Sequence, residues 1–235
     1  MDLKRFFSDT IDWDNKTATL TGEEYYHAVK VTRHKKGYKL ILCGGDRYDY
    51  FCEVTEVAKD ALYAKIESRS ENNAESDCFI TLFIGANKEL DTVVQKAVEM
   101  GVKKIVPFTS AHSNVDKINI DRLKKIVVES SKQCGRNYLA EVSNLVTLNE
   151  AFELSQNSTV FFYYEYEKKL KTKDVKNENG QISVFIGSEG GFSTDEVEMA
   201  RKKGANVLTL GNRILRVSTA VVSALSLVAE NNGEI

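Results

Sequence analysis

The chain has 235 residues, 42% hydrophobic and 28% charged, enough apolar material to bury a core and too much for disorder along most of its length. Lys and Arg number 32 against 34 Asp and Glu, so a net charge of −2 excludes a surface coated in positive charge while leaving room for a local basic patch. No apolar run approaches the roughly 18 residues of a membrane span, and the charged start Met1-Asp-Leu-Lys-Arg does not read as a signal peptide; a cytoplasmic protein with no membrane partner is expected.

Residues 1–70 read as a small, mostly antiparallel β unit. Alternating runs over Lys39–Cys43, Tyr48–Val57 and Ala61–Ile66 predict strands, with turns at Gly37, Gly44-Gly45-Asp46 and Lys59-Asp60. Residues 71–77 are polar but for Ala74 and predict a linker. From residue 78 the rhythm becomes strand, helix, strand, helix. Phe79–Gly85 is a short apolar run ending in glycine, as a buried strand should. Leu90, Val93, Val94, Ala97 and Val98 then share one helical face, with Gly101 as the stop. Lys104–Phe108 predicts the next strand, and Ile120, Leu123, Ile126 and Val127 the next helix, closed before Gly135. Thr147 and Glu150 form a capping-box pattern. Two further strands, Thr159–Tyr164 and Ile182–Gly187, flank a charged surface stretch at 165–180. Ser193 and Glu196 open another helix that Gly204 closes. A strand over Asn206–Gly211 and an apolar helix from Val217 to about Glu230 complete the chain. Such alternation predicts a parallel α/β sheet with helices on both faces.

Ligands of open α/β sheets sit outside the carboxyl ends of the strands. Gly85, Gly187 and Gly211 mark three such ends. Ile186-Gly-Ser-Glu-Gly-Gly-Phe-Ser193 places three glycines around one acid before a helix; this is a ligand loop or a tight turn with no ligand. In Leu210-Gly-Asn-Arg-Ile-Leu-Arg216, Ile214 and Leu215 lie between two arginines, which predicts a loop that is packed or holds something apolar. The motif is not GxGxxG, which disfavours a nicotinamide enzyme. Two runs are basic: Lys30, Arg33, His34, Lys35, Lys36 and Lys39, and, within 117–136, Lys117, Arg122, Lys124, Lys125, Lys132 and Arg136. Each suits a polyanion or is a solvated face. Cys43, Cys52, Cys78 and Cys134 form no CxxC pair, and His27, His34 and His112 no HExxH, so reduced thiols and no metal site are expected.

The strings His27-Ala-Val-Lys-Val-Thr-Arg33, Val94-Gln-Lys-Ala-Val-Glu-Met-Gly-Val102, Ile105-Val-Pro107, Glu129 through Gln133, Gly135-Arg136-Asn137, Ile186 to Ser193 and Leu210 to Arg216 span nearly the whole chain in order. Together they resemble the RsmE family of 16S ribosomal RNA uridine-N3 methyltransferases, of the SPOUT superfamily. The resemblance implies a PUA-like, β-rich RNA-binding domain over 1–72 and, over 73–235, a SPOUT domain with a trefoil-knotted parallel sheet. It also implies S-adenosylmethionine as methyl donor, 16S ribosomal RNA of the small ribosomal subunit as partner, and a homodimer. On this reading Ile84, Gly85, Ile186, Gly187, Gly190, Leu210, Gly211, Ile214, Leu215, Thr219 and Ala220 hold the donor. Arg216, then Arg213, stabilise negative charge on the uracil; Glu189 orients the donor, acts as base or supports its loop; and Arg33, Lys35, Lys36 and Arg136 meet RNA. The general base stays open. Two positions depart from the family: Ser188 stands where proline is common, and Arg216 is followed by Val217-Ser218-Thr219 rather than Thr-Glu-Thr. Gly-Ser-Glu-Gly and Val-Ser-Thr-Ala also resemble TrmH-type ribose 2′-O-methyltransferases, the second enzymatic reading. A non-enzymatic RNA-binding protein is the rival from a different class, and a nucleotide-binding oxidoreductase, lacking GxGxxG, is third.

Overall fold

The computed structural model describes residues 3–8, 10–177 and 180–235. Met1 and Asp2 of the charged start, and Glu178 and Asn179 of the 165–180 stretch, lie outside the described residues. The chain divides into two compact units, Met1–Glu75 with Ser131–Leu139, and Ser76–Ser130 with Ala140–Ile235.

The first unit is a six-stranded mixed sheet. Its strands are β1 (Arg5–Phe7), β2 (Thr10–Asp12), β3 (Thr17–Thr21), β4 (Lys39–Cys43), β5 (Tyr48–Val57) and β6 (Ala61–Glu71), in the order β1-β4-β5-β6-β3-β2. All pairings are antiparallel except β1 on β4. A short helix, α1 (Gly22–Tyr26), runs on into a π-helical turn, His27–Val31. The core gathers Phe6, Leu20, Leu40, Leu42, Val54, Leu62 and Ile66, the inward residues of alternating strands. Arg5 makes a two-pronged ion pair with Asp49 at 2.5 and 2.7 Å beside Cys43, and burial pushes the Cys43 thiol up to about 12. The polar stretch after β6 is tied down: Asn72 donates to Asp49 and to the Gly135 carbonyl.

The second unit is a seven-stranded, wholly parallel sheet. Strands β7 (Phe79–Gly85), β8 (Lys104–Thr109), β9 (Glu141–Val142), β10 (Val146–Thr147), β11 (Thr159–Tyr163), β12 (Gln181–Ile186) and β13 (Asn206–Leu208) run in the order β10-β8-β7-β12-β11-β13, with β9 also on β8. Five helices accompany them: α2 (Leu90–Glu99), α3 (Ile120–Cys134), α4 (Leu148–Leu154), α5 (Thr194–Lys202) and α6 (Val217–Asn231). On one face, α4 and α5 cover an aromatic layer in which Phe83 stacks on Phe185 at 4.4 Å, Phe152 on Phe185 at 4.6 Å, and Phe162 meets Phe192 at 4.1 Å. Against the other face α6 packs on β12, and α2 packs on α6. Both capping boxes form, Thr147 with Glu150 and Ser193 with Glu196. The expected strand over Asn206–Gly211 stops at Leu208, because the Thr209 hydroxyl accepts from the Gly211 N–H at 3.0 Å and turns the chain.

Candidate active site

Strand order decides where a ligand fits. β11 lies between β12 and β13, with Phe162 level with Phe185 on one side and Val207 on the other. The chain leaving each strand therefore emerges at one place, and there an open cavity is found. Three segments line it: Tyr163-Tyr164-Glu165 at the end of β11, Ile186 to Glu189 with Gly191 at the end of β12, and Leu210 to Val217 with Ala220 after β13, Asn212 and Arg216 excepted.

Of the residues expected to hold a ligand, Ile186, Gly187, Leu210, Gly211, Ile214, Leu215 and Ala220 line this cavity, as do Arg213 and Glu189. Ile214 is 79% exposed, so of the two expectations for this loop its side chain does not meet the first, packing within the chain; it borders the cavity. Gly211 has φ +103° and open space where a side chain would stand. Thr219 and Arg216 are exposed at the start of α6 and do not line the cavity. Neither Arg213 nor Arg216 has an ion-pair partner among the described residues.

Ile84 and Gly85 are not among the lining residues. A side chain at Gly85 would run into the Ser188 backbone, so this glycine lets the end of β7 press against the neighbouring loop. Gly190 plays a similar part, because a Cβ there would lie 2.6 Å from that of His112. His112 Nδ1 is 3.0 Å from the Gly190 carbonyl, and Ser188 Oγ donates to the His112 carbonyl. Glu189 accepts a hydrogen bond from the Lys88 N–H at 3.0 Å, which supports its loop. Ser218, at the position where the resembling family carries glutamate, donates to the Glu89 carboxylate at 2.7 Å.

Tyr163, Tyr164 and Glu165 were not anticipated. Their signal in the sequence is slight: an apolar strand ending in an acid, with no glycine. Tyr163 shares a hydrogen bond with Thr172 Oγ1 at 2.8 Å, and burial pushes its phenol up.

In the first unit Arg33, Lys35 and Lys36 are exposed, together with Lys30, Tyr26, Val31 and Tyr38. Cations interleaved with exposed aromatics suit a nucleic acid. His34 is buried, and desolvation pushes its imidazole down, so it adds no charge to this face. Arg136, expected to meet RNA, is turned inward: its side chain is 3% exposed and makes a two-pronged pair with Glu75 at 2.7 and 2.8 Å. Much of the second basic run is likewise committed, Arg122 to Asp91 and Lys132 to Glu24.

Residues 73–229 match the model of the RNA methyltransferase domain, and residues 20–67 that of the RNA methyltransferase PUA domain. A ribosomal RNA small subunit methyltransferase E of Aquifex aeolicus is 33% identical over 76% of this chain and 80% of its own. The chain belongs to the ribosomal RNA small subunit methyltransferase E family. Two solved structures agree over nearly the full length. The methyltransferase E of Neisseria gonorrhoeae, bound to S-adenosyl methionine, has a TM-score of 0.88 at 25% identity, covering 97% of this chain and 98% of that one. A Legionella pneumophila protein in complex with bound cofactor SAM has a TM-score of 0.88 at 26% identity, covering 98% of both chains. Within this family's architecture the cavity lies in the methyltransferase domain, and no helix among the described residues is long and apolar enough to cross a membrane.

Proposed function

We propose that the protein transfers a methyl group from S-adenosylmethionine to N3 of a uridine in 16S ribosomal RNA of the small ribosomal subunit. The observation that carries this reading is the cavity where three parallel strands end, with glycine-bearing loops on two sides and, in its lining, Arg213, which has no ion-pair partner among the described residues. Its residues fit the donor: Ile186, Leu210, Ile214 and Leu215 offer apolar surface to an adenine, and Gly211 leaves open space where a side chain would stand. When bound, S-adenosylmethionine supplies an electrophilic methyl group on a positively charged sulfur. This chain's part is to hold the base in line and to ease loss of the N3 proton, since the anion is the nucleophile. Arg216 and Arg213 lower the cost of the negative charge that spreads over the uracil. Glu189, tied to Lys88, holds its loop in shape.

On the same reading residues 1–72 are the RNA-docking domain, residues 73–235 the catalytic one, and Arg33, Lys35 and Lys36 contact phosphates. The protein works in the cytoplasm as a homodimer, with sedimentation expected at about twice 26.4 kDa. Mass mapping of modified nucleosides in 16S ribosomal RNA from cells with and without the gene tests the assignment. Loss of one 3-methyluridine supports it; loss of a 2′-O-methylnucleoside makes the enzyme a ribose methyltransferase; an unchanged profile refutes both.

A further inference from the structure

Glu165 stands two residues beyond β11, at the carboxyl end of the strand whose neighbours carry the two glycine loops. It lines the cavity, half-buried, as Tyr164 and Arg213 also do. Its carboxylate lies directly over Gly191: any side chain there would collide with Glu165 Oε1, and Gly191 itself has φ +67°. The space this acid occupies thus exists only because residue 191 is glycine.

Glu167, two residues on, shows what a structural acid in this turn looks like. It accepts from the Lys168 and Lys169 N–H groups and pairs with Arg201 at 2.7 Å. Glu165 has nothing comparable. No hydrogen bond or ion pair from a described residue reaches its carboxylate, and Lys168 Nζ goes to its main-chain carbonyl instead. A partly desolvated carboxylate beside apolar surface is costly until donors satisfy it, so this one is set for a ligand that brings its own. Two adjacent O–H groups match the two oxygens of a carboxylate, and an acid beyond a strand end of an open α/β sheet reads a ribose in this way.

We propose that Glu165 recognises the ribose hydroxyls of the methyl donor. The inference rests on the donor reading above and adds to it the residue that selects a ribonucleoside. Calorimetry on the wild type, Glu165→Gln and Glu165→Ala tests it, with three probes: S-adenosylmethionine, S-adenosylhomocysteine, and the 2′,3′-dideoxy analogue of the latter. Both variants should bind the first two probes alike and roughly ten- to hundredfold more weakly than the wild type does. The wild type should prefer S-adenosylhomocysteine over the dideoxy analogue by a similar factor, and Glu165→Ala should lose that preference. Wild-type affinity in Glu165→Ala, a preference that survives the substitution, or a loss confined to S-adenosylmethionine, which would mean the acid reads the sulfonium charge, each overturns the proposal while leaving the donor site standing. A wild type that binds neither S-adenosylmethionine nor S-adenosylhomocysteine removes the donor site and this inference with it.

Discussion

Gly211 combines two constraints that a single substitution separates from the rest of the site. Its φ of +103° suits glycine, and the direction a Cβ would take is empty of protein. In Gly211→Val the backbone strain is about 1–3 kcal/mol, felt as a modest drop in melting temperature. The isopropyl group, by contrast, enters the cavity. Affinity for S-adenosylmethionine should fall more than a hundredfold by calorimetry while the far-ultraviolet circular dichroism stays that of the wild type; normal donor binding would place the site elsewhere. Glu167 supports a second prediction, one that follows from protons. The Lys169 N–H first, and then Arg201, draw its carboxyl down from 4.5 to about 2. A carboxyl depressed in the folded state stabilises the fold above its unfolded value, and that contribution disappears as pH falls from about 4.5 to about 2. Carbon-detected titration should therefore find Glu167 the last of the surface glutamates to protonate. Arg201→Gln should move its midpoint upward, and an unmoved midpoint would show that the pair does not form in solution.

Helix α5 hangs on its capping box. Ser193 Oγ accepts from the Glu196 N–H, and the Glu196 carboxylate accepts from the Ser193 N–H at 2.8 Å and from the Ala111 N–H at 2.7 Å. Ser193→Ala should cost about 1 kcal/mol, read as a lower urea midpoint at unchanged slope; no shift would mean that water replaces the cap without loss. Such caps, with glycine stops at Gly101 and Gly204, are why the second unit was legible from sequence almost element by element: its order is written in local chemistry. The first unit was less so. The strands Arg5–Phe7 and Thr10–Asp12 have three residues each, too few to show a period of two, and their places come from pairing with β4 and β3. The site divides in the same way. The loops after β12 and β13 carry glycines and arginines that sequence alone can flag. The Tyr163–Glu165 segment carries neither, and becomes part of the site only because β11 is inserted between β12 and β13. Gly85, Gly187 and Gly211 look identical as strand-ending glycines; the structure separates them, with Gly85 pressed against Ser188, Gly187 against Gly191 and Phe192, and Gly211 facing open space. Arg136 looked like its exposed neighbours in sequence until Glu75, sixty-one positions away, was seen to hold it.

The molecule as a whole is nearly neutral, so binding to a ribosomal polyanion has to come from one face. Arg33, Lys35 and Lys36 are exposed beside Tyr26 and Tyr38, whereas Lys39 is paired with Glu67 at 2.8 Å. Replacing the three with alanine should weaken RNA binding and reduce the slope of log K against log salt by about 2–3, with donor affinity unchanged; an intact slope would return these residues to an ordinary solvated face. The central claim is narrower than the choice of substrate: the methyl donor sits where β11, β12 and β13 end. Amide hydrogen exchange, followed by mass spectrometry with and without saturating S-adenosylmethionine, tests it most directly. Slowed exchange concentrated in residues 163–167, 186–192 and 209–216 is the predicted result; protection confined to residues 84–89, or none in these three loops at saturation, would contradict it.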